Sequence, residues 1–417
     1  MLSDARKIVA GGTRQERAAS WAVRWLQRYR WRMMSPHPTY LDHAATTPLR
    51  PEARAALDAW TDAANASAPH LPGQAARAAL EEARERIADR LGCAPTEVVF
   101  TSGATEADTL AVKGVTWAAR ERGRDHLVVS GVEHPAVLEP ARWLAERGEA
   151  RLTVVPPAPD GTVEVARVLA AVEKDTTALV SVMAANNELG AVNDVAALGA
   201  ALADTDVALH CDAVQAAVTR DVDVDALGVD ALALSAHKLG GPQGMGVAVL
   251  RRGLAVVPLT HGGGQDRDVR SGTFAVGLDV AGAAALEATV AGREELDQQL
   301  RRLSDRLATG LLDLDGVHRN GPDDDAWRLS SHVHLSLEGA DPQALRLELD
   351  RAGLAASTGA ACASGAGRAS PVMAACGLTG TPLRLSLGWT TTEQDVDRAL
   401  DVLTDLVPRV RLRLALS

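Results

Sequence analysis

One lysine in this sequence follows an apolar run in a way that suits amine chemistry. The run Ala231–Ser235 is followed by Ala236, His237 and Lys238, and then by a Gly-Gly-Pro turn. Such a run predicts a buried strand, so Lys238 is expected at the edge of a sheet in a partly desolvated place. Desolvation lowers the pKa of a lysine and makes its amine nucleophilic, as Schiff-base formation requires. Only four of the 43 basic residues are lysines, which favours a chemical role, although codon bias would give the same composition.

A carboxylate ends the apolar run before that one. The run begins at Val207 and closes on Asp212, and Gln215 follows three residues later. A buried carboxylate needs a cation or an N–H group as its partner. Because ligands bind beyond the carboxyl ends of parallel strands, Asp212 and Lys238 are expected to face one ligand. A carboxylate for a pyridinium nitrogen and a lysine for an aldehyde together indicate pyridoxal 5'-phosphate (PLP).

The phosphate of PLP would need its own group of N–H donors. The segment 101–106 (Thr-Ser-Gly-Ala-Thr-Glu) follows an apolar run and opens a helix predicted to continue to Trp117. Small residues at a helix N-terminus leave backbone N–H groups free for a phosphate. Taken alone, the segment is equally typical of an ordinary helix cap. The residues that this pattern predicts around the phosphate are Ala104, Thr105, Ser235 and His237.

Three more polar residues stand where apolar runs end or continue. His134 follows the run Leu127–Ser130 and could act as a general base, stack on a flat ligand, or cap the next helix. Asn187, one of two adjacent asparagines after an apolar run, could hold a substrate carboxylate. Arg384 stands among apolar neighbours and suits bidentate carboxylate binding.

The four cysteines form no CxxC pair, which argues against a disulfide framework and a cysteine zinc site and fits a reducing, cytoplasmic setting. No metal site is expected elsewhere. Cys93, Cys211 and Cys376 are expected to pack against apolar neighbours. Cys362 lies in the stretch 357–367, which is rich in Gly, Ala and Ser and poor in large side chains. A thiol on such a loop is exposed, and exposure favours reactivity where the thiolate is stabilised.

Seven short apolar runs between Val98 and Leu250 alternate with helical segments. This alternation predicts an α/β fold with a doubly wound, mostly parallel, seven-stranded sheet. After about Val290 the pattern changes to a long helix, Arg293–Leu312, followed by a mixture of strands and helices. We expect a large domain over 52–292. We expect a smaller α+β domain that combines 35–51 with 293–417 and carries the cysteine loop.

Composition narrows the classes of partner. A net charge of -11 argues against nucleic acid as the main ligand, and no run of about 18 apolar residues predicts a membrane span. Residues 1–34 differ, since they hold eight basic residues, two acidic residues and three of the eight tryptophans. This segment could lie on a membrane surface, dock a partner, or be a dispensable extension from a misassigned start before Met33 and Met34.

The motifs together occur in the order typical of the cysteine desulfurases, PLP enzymes of fold type I in the class V aminotransferase group. The resemblance runs from about Tyr40 to Leu403. The segments that carry it are Tyr40–Pro48, Thr101–Thr105, Val132–His134, Asn186–Glu188, Asp212–Gln215, Ser235–Lys238, Arg270–Thr273 and the Cys362 loop.

The resemblance implies a role for each matching residue. Lys238 would bind the PLP aldehyde, and Cys362 would be the nucleophile that takes sulfur from L-cysteine as a persulfide, leaving L-alanine. The ring would be held by Asp212 at its nitrogen, by Gln215 at its hydroxyl, and by His134, which would stack on it and shuttle protons. The phosphate would be held by Thr105, Ser235, His237 and, from the second subunit of a homodimer, Thr273. The substrate carboxylate would be held by Asn187 and Arg384.

The resemblance also leaves choices open. The segment from Cys362 to Gly377 is similar to the long mobile loop of the family's housekeeping branch, although it lacks two hydroxyls that usually stand near the thiol. The sulfur acceptor would be an iron–sulfur scaffold or a tRNA-thiolating enzyme. An alternative is a PLP lyase or aminotransferase of the same fold that does not use the thiol, such as a selenocysteine lyase. A third is a catalytically silent scaffold that binds partners through its N-terminal segment.

Overall fold

The computed structural model of the protein describes residues 38–359 and 370–415. In chain order its strands are β1 (Thr39–Tyr40), β2 (Val98–Thr101), β3 (His126–Ser130), β4 (Arg151–Val155), β5 (Thr177–Ser181), β6 (Ala208–Asp212), β7 (Ala231–Ser235), β8 (Gly246–Leu250), β9 (Val317–Asn320), β10 (His332–Leu337), β11 (Leu354–Ala355) and β12 (Thr381–Ser386).

The largest sheet has seven strands in the order β2-β8-β7-β6-β5-β3-β4. The five strands from β7 to β4 pair in parallel, whereas β8 runs antiparallel to both β2 and β7. Every residue of β3, β5, β6, β7 and β8 is buried, as continuous apolar runs require. The predicted α/β fold with a mostly parallel seven-stranded sheet is therefore confirmed. One boundary matters for the site: β6 ends on Asp212, where the sequence places the end of the run.

Helices cover both faces of this sheet. They are α1 (Pro51–Trp60), α2 (Leu71–Leu91), α3 (Ala104–Thr109), α4 (Thr116–Arg120), α5 (Pro135–Glu146), α6 (Val165–Ala171), α7 (Val195–Leu202), α8 (Val224–Leu227) and α9 (Val276–Ala291). Alternate strand residues face opposite ways. Val128 and Val180 join the apolar cluster that includes α2 and α9, while Leu127 and Leu179 join the cluster that includes α5.

The helix that starts at the predicted phosphate segment is not regular. It begins as α3, continues through a π-helical segment at Leu110–Val115, and ends in α4 at Arg120, three residues beyond the predicted end. Where the π segment ends, the hydroxyl of Thr116, the first residue of α4, donates to the carbonyl of Val112 at 2.5 Å. π-helical turns are rare and recur at functional sites. The π-helical segment begins two residues after Asp108, whose carboxyl is buried.

The C-terminal part has its own core. It contains α10 (Arg293–Leu312), α11 (Pro342–Ala352), α12 (Pro371–Ala375) and α13 (Glu393–Ala415), with an antiparallel sheet in the order β12-β10-β9. β1 pairs in parallel with β11, and Leu41 packs in this second core. The division is not complete, because Leu329, Val372 and Cys376 pack in the first core. Among the described residues, no helix is both long enough and apolar enough to cross a membrane.

Candidate active site

Lys238 ends a short 3-10 turn, Ala236–Lys238, that follows β7 at the carboxyl edge of the sheet. The half-buried side chain donates from Nζ to the carbonyl oxygens of Ala44 and Ala45, at 2.6 and 2.5 Å. These carbonyls belong to the segment Asp42–Thr47, which runs between the two cores. The lysine thus reaches the place that the sequence predicts, and two fixed acceptors hold its amine there.

Asp212 is the last residue of β6, in register with Ala233 of β7. Its carboxyl is 5% exposed, and Oδ1 accepts the backbone N–H of Val214 at 3.0 Å. Burial raises the pKa of Asp212, against the lowering effects of the Val214 N–H, His134 and Lys238. The three side chains act electrostatically on one another, so the predicted meeting of Asp212, Lys238 and His134 occurs in the structure. A cation beside Asp212 would lower its pKa further.

His134 has one of the roles considered from the sequence, that of a helix cap. It is the N-cap residue of α5, where its Nδ1 accepts the N–H of Ala136 at 3.1 Å. Pro135, which has no N–H, makes Ala136 the first available donor of this helix. Burial lowers the pKa of His134, with Asp212 opposing and Lys238 adding to the effect. A neutral imidazole that accepts at Nδ1 carries its proton on Nε2, so Nε2 is the donor.

A buried carboxyl next to this histidine was missed by the sequence analysis. Glu133 is 2% exposed, and its Oε1 accepts from the Ser130 hydroxyl at 2.5 Å and from the Met183 N–H at 2.7 Å. Burial raises the pKa of Glu133 to about 8. The carboxyl thereby fastens the loop after β3 to the loop after β5. Charge and spacing alone gave no signal that this glutamate is buried.

A second buried pair lies behind Asp212. Asp108 and His210 are both buried, with His210 Nε2 at 3.4 Å from Asp108 Oδ1, and His210 Nδ1 is 2.8 Å from the Ser181 hydroxyl. Burial raises the pKa of Asp108, and the charges of Asp212 and Glu133 add to this. The same burial lowers the pKa of His210 to about 3. Asp108 therefore lies close enough to Asp212 to act on it, and burial favours the neutral form of both members of the pair.

The order of the strands places the predicted phosphate segment beside β7. Thr101 of β2 and Ser235 of β7 both pair with Gly246 of β8, which brings the start of α3 next to the end of β7. A Cβ at Gly246 would lie 2.6 Å from the Gly103 Cα, so only glycine permits this approach. Ala104 and Thr105 form the first turn of α3, and Thr105 is exposed. The concave edge at these residues is suited to an anion.

His237 and Gln215, which are predicted to contact the cofactor, form hydrogen bonds with the segment Asp42–Thr47. Nδ1 of His237 lies 3.0 Å from the Thr46 hydroxyl, and the Thr47 N–H donates to the His237 carbonyl at 3.1 Å. Burial lowers the pKa of His237 to about 4, and Lys238 adds to the shift. Gln215, which is buried, donates to the Ala44 carbonyl at 3.1 Å. Asp42–Thr47 is therefore part of the site, although the sequence analysis gave it no role.

The predicted carboxylate-binding pair also comes together. Arg384 of β12 is buried, and its Nη1 donates to the backbone carbonyl of Asn187 at 2.9 Å. Its Nη2 lies 2.7 Å from Oδ1 of Asp42. The Asn187 side chain is half-buried at the rim of the same place. Asp42 has no counterpart in the sequence-based list, because nothing in its local pattern indicates a partner 342 residues away.

Two predicted residues lie apart from these groups. Thr273 is exposed on the connector between β8 and α9, which touches the phosphate segment where Arg270 Nε meets Glu106 Oε1 at 3.1 Å. Cys362 lies outside the described residues. Its two described flanks are both tied to the site: the backbones of Ser357 and Arg384 exchange two hydrogen bonds, and the Ser370 hydroxyl donates to Glu188 Oε2 at 2.5 Å.

The three described cysteines do not compete for the role of nucleophile. Burial raises the pKa of the Cys93 thiol to about 12 and that of Cys376 to about 11, and it raises the pKa of the fully buried Cys211 as well. A thiol with a raised pKa is protonated and inert. Within 38–359 and 370–415, no group of His, Cys, Asp and Glu side chains is arranged to hold a metal ion.

Known proteins with the same sequence pattern and fold are cysteine desulfurases. The family model described as aminotransferase class-V matches residues 39–399. The IscS-like cysteine desulfurase of Mycobacterium tuberculosis is 46% identical over 381 residues, which is 89% of this chain and 97% of the relative. Among solved structures, a NifS-like protein superposes with a TM-score of 0.83 at 30% identity, over 89% of this chain and 100% of that chain.

A further solved structure, SspA in complex with cysteine, superposes with a TM-score of 0.73 at 32% identity, over 84% of this chain and 98% of that chain. The family match spans most of the described residues, and the relatives are similar over nearly their whole lengths. The resemblance seen in the sequence is confirmed, and the chain belongs to the class-V aminotransferase family as a PLP-dependent cysteine desulfurase of fold type I.

Proposed function

We propose that this enzyme takes sulfur from L-cysteine onto Cys362, releases L-alanine, and passes the sulfur to an acceptor protein. The observation that carries the proposal is the placement of Lys238, Asp212 and His134 at the carboxyl edge of one sheet, where their charges act on one another. The three described cysteines are buried or half-buried, and burial raises the pKa of each thiol, which leaves Cys362 as the candidate thiol. A structural relative was solved in complex with cysteine, and this supports the same substrate class here.

The residues present fit PLP as the cofactor. Asp212 is a buried carboxyl with one backbone donor and a raised pKa, so a protonated ring nitrogen would be a favourable partner. Lys238 supplies the amine for the aldehyde, and Gln215 lies near enough to share the Ala44 carbonyl with it. Ala104, Thr105, Ser235 and His237 are the candidates for the phosphate. When bound, PLP withdraws electrons from the α-carbon of the amino acid.

Lys238 and His134 would have different roles in the reaction. The Lys238 amine, once released, is held by the carbonyls of Ala44 and Ala45, where it can take the proton of the substrate α-carbon. His134 is neutral and presents the N–H at Nε2, because Ala136 occupies Nδ1. We therefore assign the base to Lys238. His134 would stack on the ring and donate a hydrogen bond, so the sequence-based role of proton shuttle is narrowed to that of a donor.

Arg384 and Asn187 would bind the substrate carboxylate. The Arg384 guanidinium is buried and has N–H groups left after its bonds to Asp42 and Asn187, and a bidentate carboxylate suits such a group. The amine end of the same amino acid would lie toward Lys238. An α-amino acid with both groups on one carbon matches this arrangement, which favours L-cysteine over a substrate that lacks a carboxylate.

The remaining assignments concern partners. We propose a homodimer in which Thr273 reaches the phosphate of the neighbouring subunit, since this residue is exposed on a connector joined to the phosphate segment. The acceptor would be an iron–sulfur scaffold or a tRNA-thiolating enzyme, and relatives named IscS favour the first. The absence of CxxC pairs supports a reducing, cytoplasmic location.

The Cys362→Ser variant tests the central step. We expect it to keep the PLP absorbance and to bind L-cysteine, but to lose alanine and persulfide formation almost completely, because serine cannot accept sulfur. Lys238→Ala is the matched control, since it should lose the lysine-bound absorbance as well. Full alanine release by Cys362→Ser would overturn the role of this thiol. Release of selenium from selenocysteine by Cys362→Ser at the normal rate, without desulfuration, would favour a selenocysteine lyase.

A further inference from the structure

The carboxylate of Asp42 is paired with an arginine that the site requires. Asp42 Oδ1 lies 2.7 Å from Nη2 of Arg384, and the two side chains are 21% and 8% exposed. A buried guanidinium with no anion beside it is unfavourable. Asp42 is therefore the charge that keeps Arg384 in place when no substrate is bound.

The hydrogen bonds of Arg384 leave one part of the guanidinium available. Nη2 is used by Asp42, and Nη1 donates to the Asn187 carbonyl at 2.9 Å. Nε is buried and has no hydrogen-bond partner among the described residues. A guanidinium has five N–H groups in a fixed plane, so Nε and one N–H on each Nη remain. A carboxylate can take two of them without displacing Asp42.

The backbone fixes Asp42 more firmly than an ordinary surface aspartate. Asp42 bridges to Ser386 of β12, the His43 N–H donates to the Ser386 carbonyl at 3.2 Å, and the Tyr40 hydroxyl donates to the Asp42 carbonyl at 3.1 Å. The carboxylate is thus attached to the same strand that carries Arg384. A fixed anion of this kind orients its partner and does not follow it.

The segment Asp42–Thr47 contacts both residues that would recognise the substrate. Asp42 holds Arg384, which would bind the substrate carboxylate, and two and three residues later the carbonyls of Ala44 and Ala45 hold Lys238, which would exchange with the substrate amine. One short segment therefore sets the distance between the two residues that recognise both ends of the substrate.

We propose that Asp42 is a positioning residue for substrate recognition: its carboxylate orients Arg384 so that Nε and the neighbouring N–H meet the substrate carboxylate. The inference rests on the proposed role of Arg384. Asp42 does not touch the substrate, so its effect is confined to ligands that carry a carboxylate.

The test is a pair of equilibrium titrations followed by the PLP absorbance, with Cys362→Ser as the background so that L-cysteine is not consumed. One ligand is L-cysteine and the other is cysteamine, which has the same amine and thiol but no carboxylate. We expect Asp42→Asn to raise the Kd of L-cysteine by about tenfold, since the amide oxygen can still accept from Arg384 but the negative charge that orients the guanidinium is lost, and to leave the Kd of cysteamine unchanged. Asp42→Glu should fall between Asn and Asp.

Two further variants separate the possible failures. Arg384→Gln should raise the Kd of L-cysteine at least as much as Asp42→Asn, again without an effect on cysteamine. Asp221→Asn, which breaks the exposed ion pair with Arg293, should change neither value. If Arg384→Gln has no effect, the proposed role of Arg384 is wrong. If Arg384→Gln weakens L-cysteine while Asp42→Asn does not, only the role of Asp42 is wrong.

The remaining outcomes also decide the matter. Tighter L-cysteine binding by Asp42→Asn would mean that Asp42 competes with the substrate, and equal weakening of both ligands would mean a purely structural role. Either result overturns the proposal. Should Asp42→Asn fold poorly, Asp42→Glu keeps the charge, and selective weakening of L-cysteine by that variant supports the proposal while equal weakening overturns it.

Discussion

The cofactor side and the substrate side of this site are built in different ways. The cofactor side consists of Lys238, Asp212, Gln215 and His134, which stand at or just after the ends of β7, β6 and β3 at the carboxyl edge of one sheet. The substrate side consists of Asp42, Asn187 and Arg384, and it joins the N-terminal segment, the loop after β5 and strand β12. The first is a product of one core, whereas the second exists only where two cores meet.

The cofactor side is held by the sheet alone, whereas the substrate side also depends on how the two cores pack together. The sheet edge is set by buried strands on both sides, so its residues keep their spacing as long as the first core folds. The substrate side also needs the second core, which carries Arg384, and the flanks of the Cys362 segment attach through Ser357 and Ser370. Substitutions on the cofactor side should therefore remove the chemistry, and those on the substrate side should change binding and sulfur transfer.

The largest effect is expected at Asp212. Asp212→Asn keeps the shape of the side chain but removes the charge opposite the ring nitrogen, and loss of one partner of a buried pair costs several kcal/mol. We expect alanine formation to fall by about a hundredfold or more, with a weaker hold on PLP. Initial rates and the equilibrium content of PLP after dialysis measure the two effects.

A matched control for Asp212 lies at the opposite end of the same strands. Asp230 precedes β7, and its carboxyl accepts the Leu209 N–H at 2.8 Å; burial raises its pKa as it does that of Asp212. Asp230→Asn should affect stability and not the cofactor. A hundredfold loss in both variants would contradict the contrast, because the sheet as a whole and not its carboxyl edge would then be responsible.

The sequence predicted only part of the cofactor side. β7 was bounded correctly because its residues form an uninterrupted apolar run, and Lys238 and Asp212 were found because polar residues at such ends are conspicuous. The carboxyls of Glu133 and Asp108 were not found, because burial of a charged residue leaves no local pattern. The antiparallel course of β8 and its place beside β2 were also not predicted, since pairing is decided by contacts far apart in the chain.

The ion pair of Asp42 and Arg384 shows the same limit on the substrate side. Asp42 is ordinary within its own segment, and its separation of 342 positions from Arg384 hides the relationship. Arg384 was singled out only because an arginine among apolar neighbours is unusual. The contact of Asp42 with Arg384 is evident only in the folded structure, where the two cores meet.

An intermediate effect is expected at the anchor of the cysteine segment. Ser370, the first described residue after that segment, donates to Glu188 and also caps α12 through the Met373 N–H at 3.1 Å. Glu188→Ala removes the acceptor and leaves the cap. We expect alanine formation to fall by about tenfold, as for the loss of a charged hydrogen bond. The PLP absorbance, which reports the cofactor side, should stay unchanged.

The control for this variant keeps the acceptor. The amide oxygen of Glu188→Gln can still accept from Ser370, so its rate should lie close to that of the natural enzyme. Burial raises the pKa of Glu188, with Ser370 and Arg384 opposing, and glutamine imitates the protonated form. Loss of bound PLP in Glu188→Ala would mean that this anchor also supports the cofactor side. Equal rates in all three proteins would mean that the anchor has no role on the substrate side.

The smallest effect on catalysis is expected at Glu133, where the substitution acts on stability and tests whether the cofactor side is held by a neutral carboxyl. The pKa of Glu133 is about 8 in the folded protein, above its value of about 4.3 in an unfolded chain. Between these values the unfolded chain releases a proton that the folded protein keeps. Stability from this group is therefore highest below about pH 4 and falls by about 1.4 kcal/mol per pH unit up to about pH 8.

Glu133→Gln cannot titrate, and its amide oxygen can accept from Ser130 and Met183 as Glu133 Oε1 does. Its stability relative to the natural protein should therefore rise between about pH 5.5 and about pH 7.5, which thermal unfolding at both values measures. Glu139→Gln removes an exposed carboxyl of α5 and should give no such trend. A pH-independent difference for Glu133→Gln would mean that Glu133 is ionised in the fold, and the loops after β3 and β5 would then be joined by a charge that the cofactor side must neutralise.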